Sequence, residues 1–200
     1  MTTKADVSSL VGTELADSLS VKRSCLALAD IVADAVIGIL DRLHVGGRVF
    51  LCGNGGSAAD SQHIAAELIG RFMHDRRPIP SIALTTDSSV LTALANDMGF
   101  PEVFRRQVEA LIEPRDVLIA ISTSGISPNV IRAAKAARRA GALTVALTGR
   151  GGGDLARIVD IAIVVPSSHV ARIQEAHIAI GHAMCAVLEK EWMDEPSGIP

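Results

Sequence analysis

Between Ser18 and about His44 the apolar residues Leu26, Ala29, Ile31, Val32, Val36, Ile37 and Leu40 recur at steps of three and four. That period predicts a helix, which Gly46 and Gly47 end. Arg48 to Cys52 (RVFLC) is then a short apolar run, and it passes through GNGGS into SAADSQHIAAELIGRF, a stretch of helix formers. The same order of strand, loop and helix recurs at SIALTT with DSSVLTALANDM, at DVLIAIS with TSGISPNVIRAAKAARRAG, and at LTVALT with GRGGGDLARIV. A last strand, DIAIVVP, leads to a helix from about Val170 to Trp192. Five apolar strands alternating with helices predict an α/β fold, a three-layer αβα sandwich around a five-stranded parallel sheet. The chain reads as one domain, with a helical segment over about 1–45, a core over about 46–192 and a loose tail over 193–200. In such sheets ligands bind at the carboxyl edge of the strands. All the unusual loop residues fall there.

Composition narrows the choice of ligand. The hydrophobic fraction of 48% comes from Ala, Val, Ile and Leu; there are four Phe, one Trp and no Tyr, so stacking on nucleic-acid bases has little to work with. A net charge of -3 gives no global pull toward nucleic acid or an anionic membrane, and an anionic substrate must be held locally. Cys25, Cys52 and Cys185 are odd in number and lack CxxC spacing, which fits free, buried thiols in a reducing compartment. Charges at Lys4, Asp6, Glu14, Asp17, Lys22 and Arg23 interrupt the N-terminal segment, so neither a signal peptide nor a membrane span is expected and a cytoplasmic location is.

Two loops have the makings of an anion site. GNGGS places Asn54, Gly55, Gly56 and Ser57 between a strand and a helix, where backbone N–H groups and a hydroxyl converge at a helix N-terminus. It has neither the GK[ST] ending of a Walker A loop nor the spacing of a dinucleotide fingerprint. STSGISPN supplies Ser122, Thr123, Ser124 and Ser127 in the equivalent place. Either loop alone has a plain structural explanation, a glycine turn or an N-cap with spare serines. Together, at strand ends of one sheet, they form a local phosphate cradle.

On the helix after GNGGS, His63 and Glu67 lie four residues apart and project from one face, roughly 6 Å apart along the axis. They can meet one ion, although HxxxE is also a common helical ion pair. Gln174 and His182 on the last helix are eight residues, hence roughly 12 Å, apart. His177, five residues before His182, is turned about 140° from its direction on a 3.6-residue helix and is the weaker candidate.

The stretches CGNGGSAADSQHIAAELIGRF, ISTSGISPN and VARIQEAHIAIGH closely resemble the phosphoheptose isomerases of the SIS sugar-isomerase family, over nearly the whole chain. The resemblance implies a SIS-type sandwich that isomerises D-sedoheptulose 7-phosphate to D-glycero-D-manno-heptose 7-phosphate through a metal-assisted enediol. It implies one Zn²⁺ per site on His63, Glu67, Gln174 and His182, and a homotetramer. Because Gln174 and His182 are far apart, either both extend fully toward the ion or neighbouring subunits share the ligation. The resemblance also implies Glu67 as base and His182 as the group serving the sugar oxygens, with a tension: a zinc-bound carboxylate is a weaker base than a free one. Asn54, Gly55, Gly56, Ser57, Ser122, Thr123, Ser124, Ser127 and Gln174 are the implied substrate contacts, joined by Asp97 and Arg71; Asp60 is a further candidate for a substrate or interface contact. Related enzymes often carry Asp or Thr just before the RIQE segment, where this chain has His169, Val170 and Ala171. A SIS relative that binds a replication initiator as a scaffold, and a phosphosugar-sensing regulator, are the rival readings. Retention of all four ligand types argues against the first, and the lack of a basic DNA-binding segment against the second.

Overall fold

The computed structural model describes residues 2–193. Its elements are α1 (Lys4–Ser24), a 3₁₀ turn (Cys25–Leu28), α2 (Ala29–His44), β1 (Val49–Gly53), α3 (Gly56–Ile69), β2 (Ser81–Ala83), α4 (Ser88–Met98), a second 3₁₀ turn (Phe100–Glu102), α5 (Arg105–Leu111), β3 (Val117–Ser122), α6 (Pro128–Arg139), β4 (Leu143–Thr148), α7 (Gly153–Ala156), β5 (Ile161–Val164) and α8 (Val170–Met193).

Three expectations change. The single N-terminal helix from Ser18 is two helices. The first starts at Lys4, where the Thr3 hydroxyl accepts from the Asp6 amide and the Asp6 carboxylate accepts from the Thr3 amide, a reciprocal cap. The helix after GNGGS stops at Ile69 because Gly70 leaves helical geometry, so Arg71 and Phe72 belong to the following loop. Met193 closes α8 rather than opening a tail, and the remainder of that expected tail lies outside the described residues.

The sheet is parallel throughout, in the order β2-β1-β3-β4-β5. The chain therefore steps one way from β1 to β2 and the other way from β3 to β5. With right-handed crossovers this reversal puts α3 and α6 on opposite faces. Although the central strands are buried on both sides, alternate residues sort cleanly. Val49, Leu51, Val117, Ile119, Ile121, Val145, Leu147 and Ile163 pack with α2, α3 and α8. Phe50, Cys52, Leu118, Ala120 and Ala146 pack with α5, α6 and α7. At the opposite, amino edge the fully buried Asp116 accepts from the Arg48 and Glu113 amides and from the Arg48 guanidinium. Burial alone would raise its pKa, yet these bonds hold it below the ordinary carboxylate value. The anchor pins the start of β3 beside β1, so Gly53 and Ile121 end up paired at the carboxyl edge.

The helical segment leaves much apolar surface uncovered. Val7, Leu10, Val11, Leu15 and Leu19 of α1 are each about half exposed or more, and Ser18 is the only buried residue of that helix. An apolar groove of about 610 Å³ runs between α2 and α8 beside the first 3₁₀ turn.

Candidate active site

β1 and β3 are the two strands at which the chain reverses direction across the sheet, and both loops singled out in the sequence leave from their carboxyl ends. Such a reversal opens a crevice between the loops, because the helices that follow diverge to opposite faces. In the first loop Gly53 has no room for a Cβ, which would meet Ser57 Cβ at 2.7 Å, and Gly55 has φ +56 with open space beside it. Ser57 is nearly buried beneath that turn. In the second, Ser122 Oγ and Ser127 Oγ are 3.0 Å apart, and Ser124 Oγ accepts from the Ile126 amide at 3.4 Å. Thr123 and Ser124 stay half-buried at the rim. Gly125, with φ +66, lies so close to the Gly152 backbone that a side chain there would collide with it.

No side chain caps the N-terminus of α3 or of α6. Ser57 and Ala58 already donate to the Asn54 and Gly55 carbonyls, Pro128 has no N–H and the Val130 amide donates to Asn129 Oδ1. The crevice is therefore offered the Gly56 and Asn129 amides together with the positive ends of two helix dipoles, which suits a dianion without any lysine or arginine. The loops are tied together by a reciprocal amide pair. Asn54 Nδ2 donates to Asn129 Oδ1 at 2.9 Å and Asn129 Nδ2 donates to Asn54 Oδ1 at 2.8 Å. The Asn54 side chain is thus committed to holding the cradle together.

Further along α3, His63 and Glu67 meet His182 of α8. His63 Nε2 is 3.2 Å from Glu67 Oε1 and 3.3 Å from His182 Nε2, and one donor atom from each of the three residues lies within 4.8 Å of the others. Donors on 2.0–2.1 Å bonds at the corners of a zinc tetrahedron stand about 3.3 Å from one another. The two observed separations match that edge, and two imidazoles with a carboxylate suit a borderline ion such as Zn²⁺. The Phe72 ring leans on His182 with centroids 5.5 Å apart, giving the cluster one apolar wall.

Gln174 is held elsewhere. Its amide packs on Gly56, where a Cβ would approach Nε2 to 2.5 Å. Gly56 and His63 are about 10 Å apart along α3, so Gln174 reaches the glycine loop rather than lying in hydrogen-bonding contact with the histidines. Asp60, one turn before His63, has a buried Oδ2 with no hydrogen-bond partner, and burial raises its pKa. His177 is fully buried and donates from Nε2 to the Thr148 carbonyl at 3.1 Å, which leaves Nδ1 unprotonated and unpartnered. Burial pushes its pKa down to about 4.

Arg71 and Asp97 are exposed and neither bonds to the cluster; Asp97 Oδ1 accepts from the Asn96 side chain at 2.8 Å. His169 is exposed at the start of α8, its amide donating to Ser167 Oγ. The sequence reading assigned no role to Asn129, Phe72, Arg76 or Glu189. Asn129 stood inside the serine loop, and Glu189 seven residues beyond His182, on the same helix face; those spacings were the available signals.

Comparison with known proteins adds three findings. Residues 18–149 match the family model described as "SIS domain". A phosphoheptose isomerase of Syntrophotalea carbinolica is 56% identical over 78% of this chain and 79% of its own length. Two solved phosphoheptose isomerase structures superpose closely. That of Neisseria gonorrhoeae has a TM-score of 0.87 and 43% identity, covering 92% of this chain and 99% of that one. That of Francisella tularensis has a TM-score of 0.89 and 36% identity, covering 95% and 100%.

Proposed function

This chain belongs to the phosphoheptose isomerases of the SIS domain family and is an isomerase, and we propose that its reaction converts D-sedoheptulose 7-phosphate to D-glycero-D-manno-heptose 7-phosphate through an enediol. The observation that carries the reading is the convergence of His63, Glu67 and His182, two of whose separations match a zinc tetrahedron edge, beside a crevice suited to a dianion.

The sugar's phosphate sits against the first turns of α3 and α6, where the Gly56 and Asn129 amides are open, and the hydroxyls of Ser122, Thr123, Ser124 and Ser127, with the Asn54–Asn129 pair holding the two loops at a fixed distance. Its carbonyl end lies at the histidine cluster. His63, Glu67 and His182 would hold the metal, while Gln174, packed on Gly56, would contact the sugar and could reach the ion only by leaving that glycine. When bound, Zn²⁺ supplies Lewis acidity at the C1–C2 end of the sugar. Glu67 Oε1 faces His63, while Oε2 makes no hydrogen bond among the described residues. We assign Oε2 to remove the C1 proton and return it at C2, which divides the carboxylate between its two tasks. We assign His182 to move a proton from O1 to O2, for which its Nε2 would have to release the metal during that step, and Phe72 lies on one side of its ring.

The exposed stripe of α1 and the groove between α2 and α8 are the surfaces through which we propose that copies of the chain form a tetramer. Among the described residues no helix is long and apolar enough to cross a membrane. The three free cysteines support a cytoplasmic location. The reading is tested by a coupled assay on sedoheptulose 7-phosphate with and without chelator, for wild type and Glu67→Gln. Chelation and the substitution should each remove most turnover while phosphosugar binding persists; a wild type that ignores this ketose yet isomerises another sugar phosphate overturns the substrate.

A further inference from the structure

Behind the cluster lies a buried ion pair that the chemistry above does not use. The Glu189 carboxylate of α8 accepts from three consecutive backbone amides, Phe72 at 2.9 Å, Met73 at 2.8 Å and His74 at 3.0 Å, and from His74 Nδ1 at 3.3 Å. Arg76 Nε stands 3.4 Å from the same carboxylate, and both side chains are 2% exposed. Burial alone would raise the Glu189 pKa, but the amide bonds and His74 hold it below the usual carboxylate value. The guanidinium turns its other nitrogens to the end of α3, donating to the carbonyls of Glu67 and Leu68 at 2.8 Å each. These are last-turn carbonyls without a helical partner.

The pair therefore joins three pieces of the site. It holds α8 two turns beyond His182, α3 at the backbone of Glu67 itself, and the loop whose Phe72 lies on the His182 ring. A buried ion pair contributes little net stability compared with apolar packing, because desolvation offsets its attraction. Its geometry matters more, since a metal site tolerates errors of about 0.2 Å in donor placement.

We propose that Glu189 and Arg76 are positioning residues, a strut that sets α3 against α8 so that Glu67, His63 and His182 converge on one point. The proposal rests on the reading of that cluster as the metal and acid–base centre. Both side chains are buried, 2% exposed, and the glycine loop lies at the other end of α3. Loosening the strut should thus degrade the metal end and spare the phosphate end.

The test uses the full chain with Glu189→Gln, which keeps the shape and removes the charge, and Glu189→Asp, which keeps the charge on a shorter stem. Zinc affinity is measured by competition with a chromophoric chelator, and kcat and KM at saturating zinc well below the melting temperature. Glu189→Gln should lower zinc affinity about 10–100-fold, the range of supporting residues around metal ligands. It should lower kcat about tenfold or more with KM changed less than about threefold, and the Asp variant should recover part of both. A variant that melts earlier but keeps wild-type zinc affinity and kcat overturns the proposal, as does a loss confined to KM. Should Glu189→Gln fail to fold, Arg76→Lys, which keeps the charge but cannot reach both carbonyls, takes the same measurements. A wild type that binds zinc but isomerises no sugar phosphate overturns the proposed function, while the zinc titrations still decide the strut.

Discussion

Gly56→Ala separates stability from activity at a single added methyl. Gly56 is the first residue of α3, and its backbone is not in the left-handed region, so alanine fits the helix there. Removing glycine's unfolded-state freedom at such a position stabilises a protein by about 0.4–1 kcal/mol. The added Cβ, however, would stand 2.5 Å from Gln174 Nε2, 2.8 Å from Cδ and 3.1 Å from Oε1. Ordinary contacts require about 3.5 Å, so the amide must retreat by about 1 Å. Gln174 is half-buried and the clash falls on the far end of a flexible side chain, so the retreat costs the fold little. In the proposed reading this amide contacts the sugar, and a misplacement of about 1 Å in a substrate-positioning group, even away from the chemistry, can cost about 100-fold in rate. We expect a melting temperature unchanged or raised by about 2–4 °C, and kcat/KM lowered about 10–100-fold in the coupled isomerase assay. Gln174→Ala should produce a similar loss, and the double variant little more, because both act through one amide. Activity within twofold of wild type in Gly56→Ala would refute the reasoning, and so would a melting temperature more than about 10 °C lower, which would place the clash on the backbone.

Two further outcomes follow from the same geometry. Asn129→Ala unpairs Asn54 and frees the two phosphate loops, so KM for the sugar phosphate should rise about tenfold with kcat within about threefold; the opposite split in steady-state kinetics would remove the pair from phosphate binding. His177 is buried neutral, with a folded pKa of about 4 against an ordinary 6.5. Its stability contribution is complete above the unfolded pKa and is lost as pH falls from about 6.5 toward 4, on the order of 3 kcal/mol over the window. Urea unfolding of metal-free protein between pH 7.5 and 4 should show a steeper loss for wild type than for His177→Gln, and equal slopes would exclude the linkage.

Much of the architecture was written locally. Strand runs such as LTVALT and the three-and-four spacing around Val36 and Leu40 depend only on which side of a short segment must be buried, and the structure places them close to where periodicity did. α1 escaped because Val7, Leu10, Val11 and Leu15 face away from the sheet, so no core pattern announces them within this chain. The His63–Glu67 pair was equally local, four residues apart on one helix.

What joins distant segments was decided by packing. His182 meets His63 across 119 positions, Asn129 meets Asn54 across 75, and Glu189 reaches the Phe72 amide across 117. No spacing rule encodes such pairs, since they arise only when the reversal between β1 and β3 opens the crevice and α8 settles against α3. The sequence by itself determined the elements, the loop chemistry and, through family resemblance, the residues to watch. The tertiary structure alone decided that Gln174 rests on the glycine loop while three other donors converge, because side-chain reach is set by how two helices pack and not by the residues that separate them.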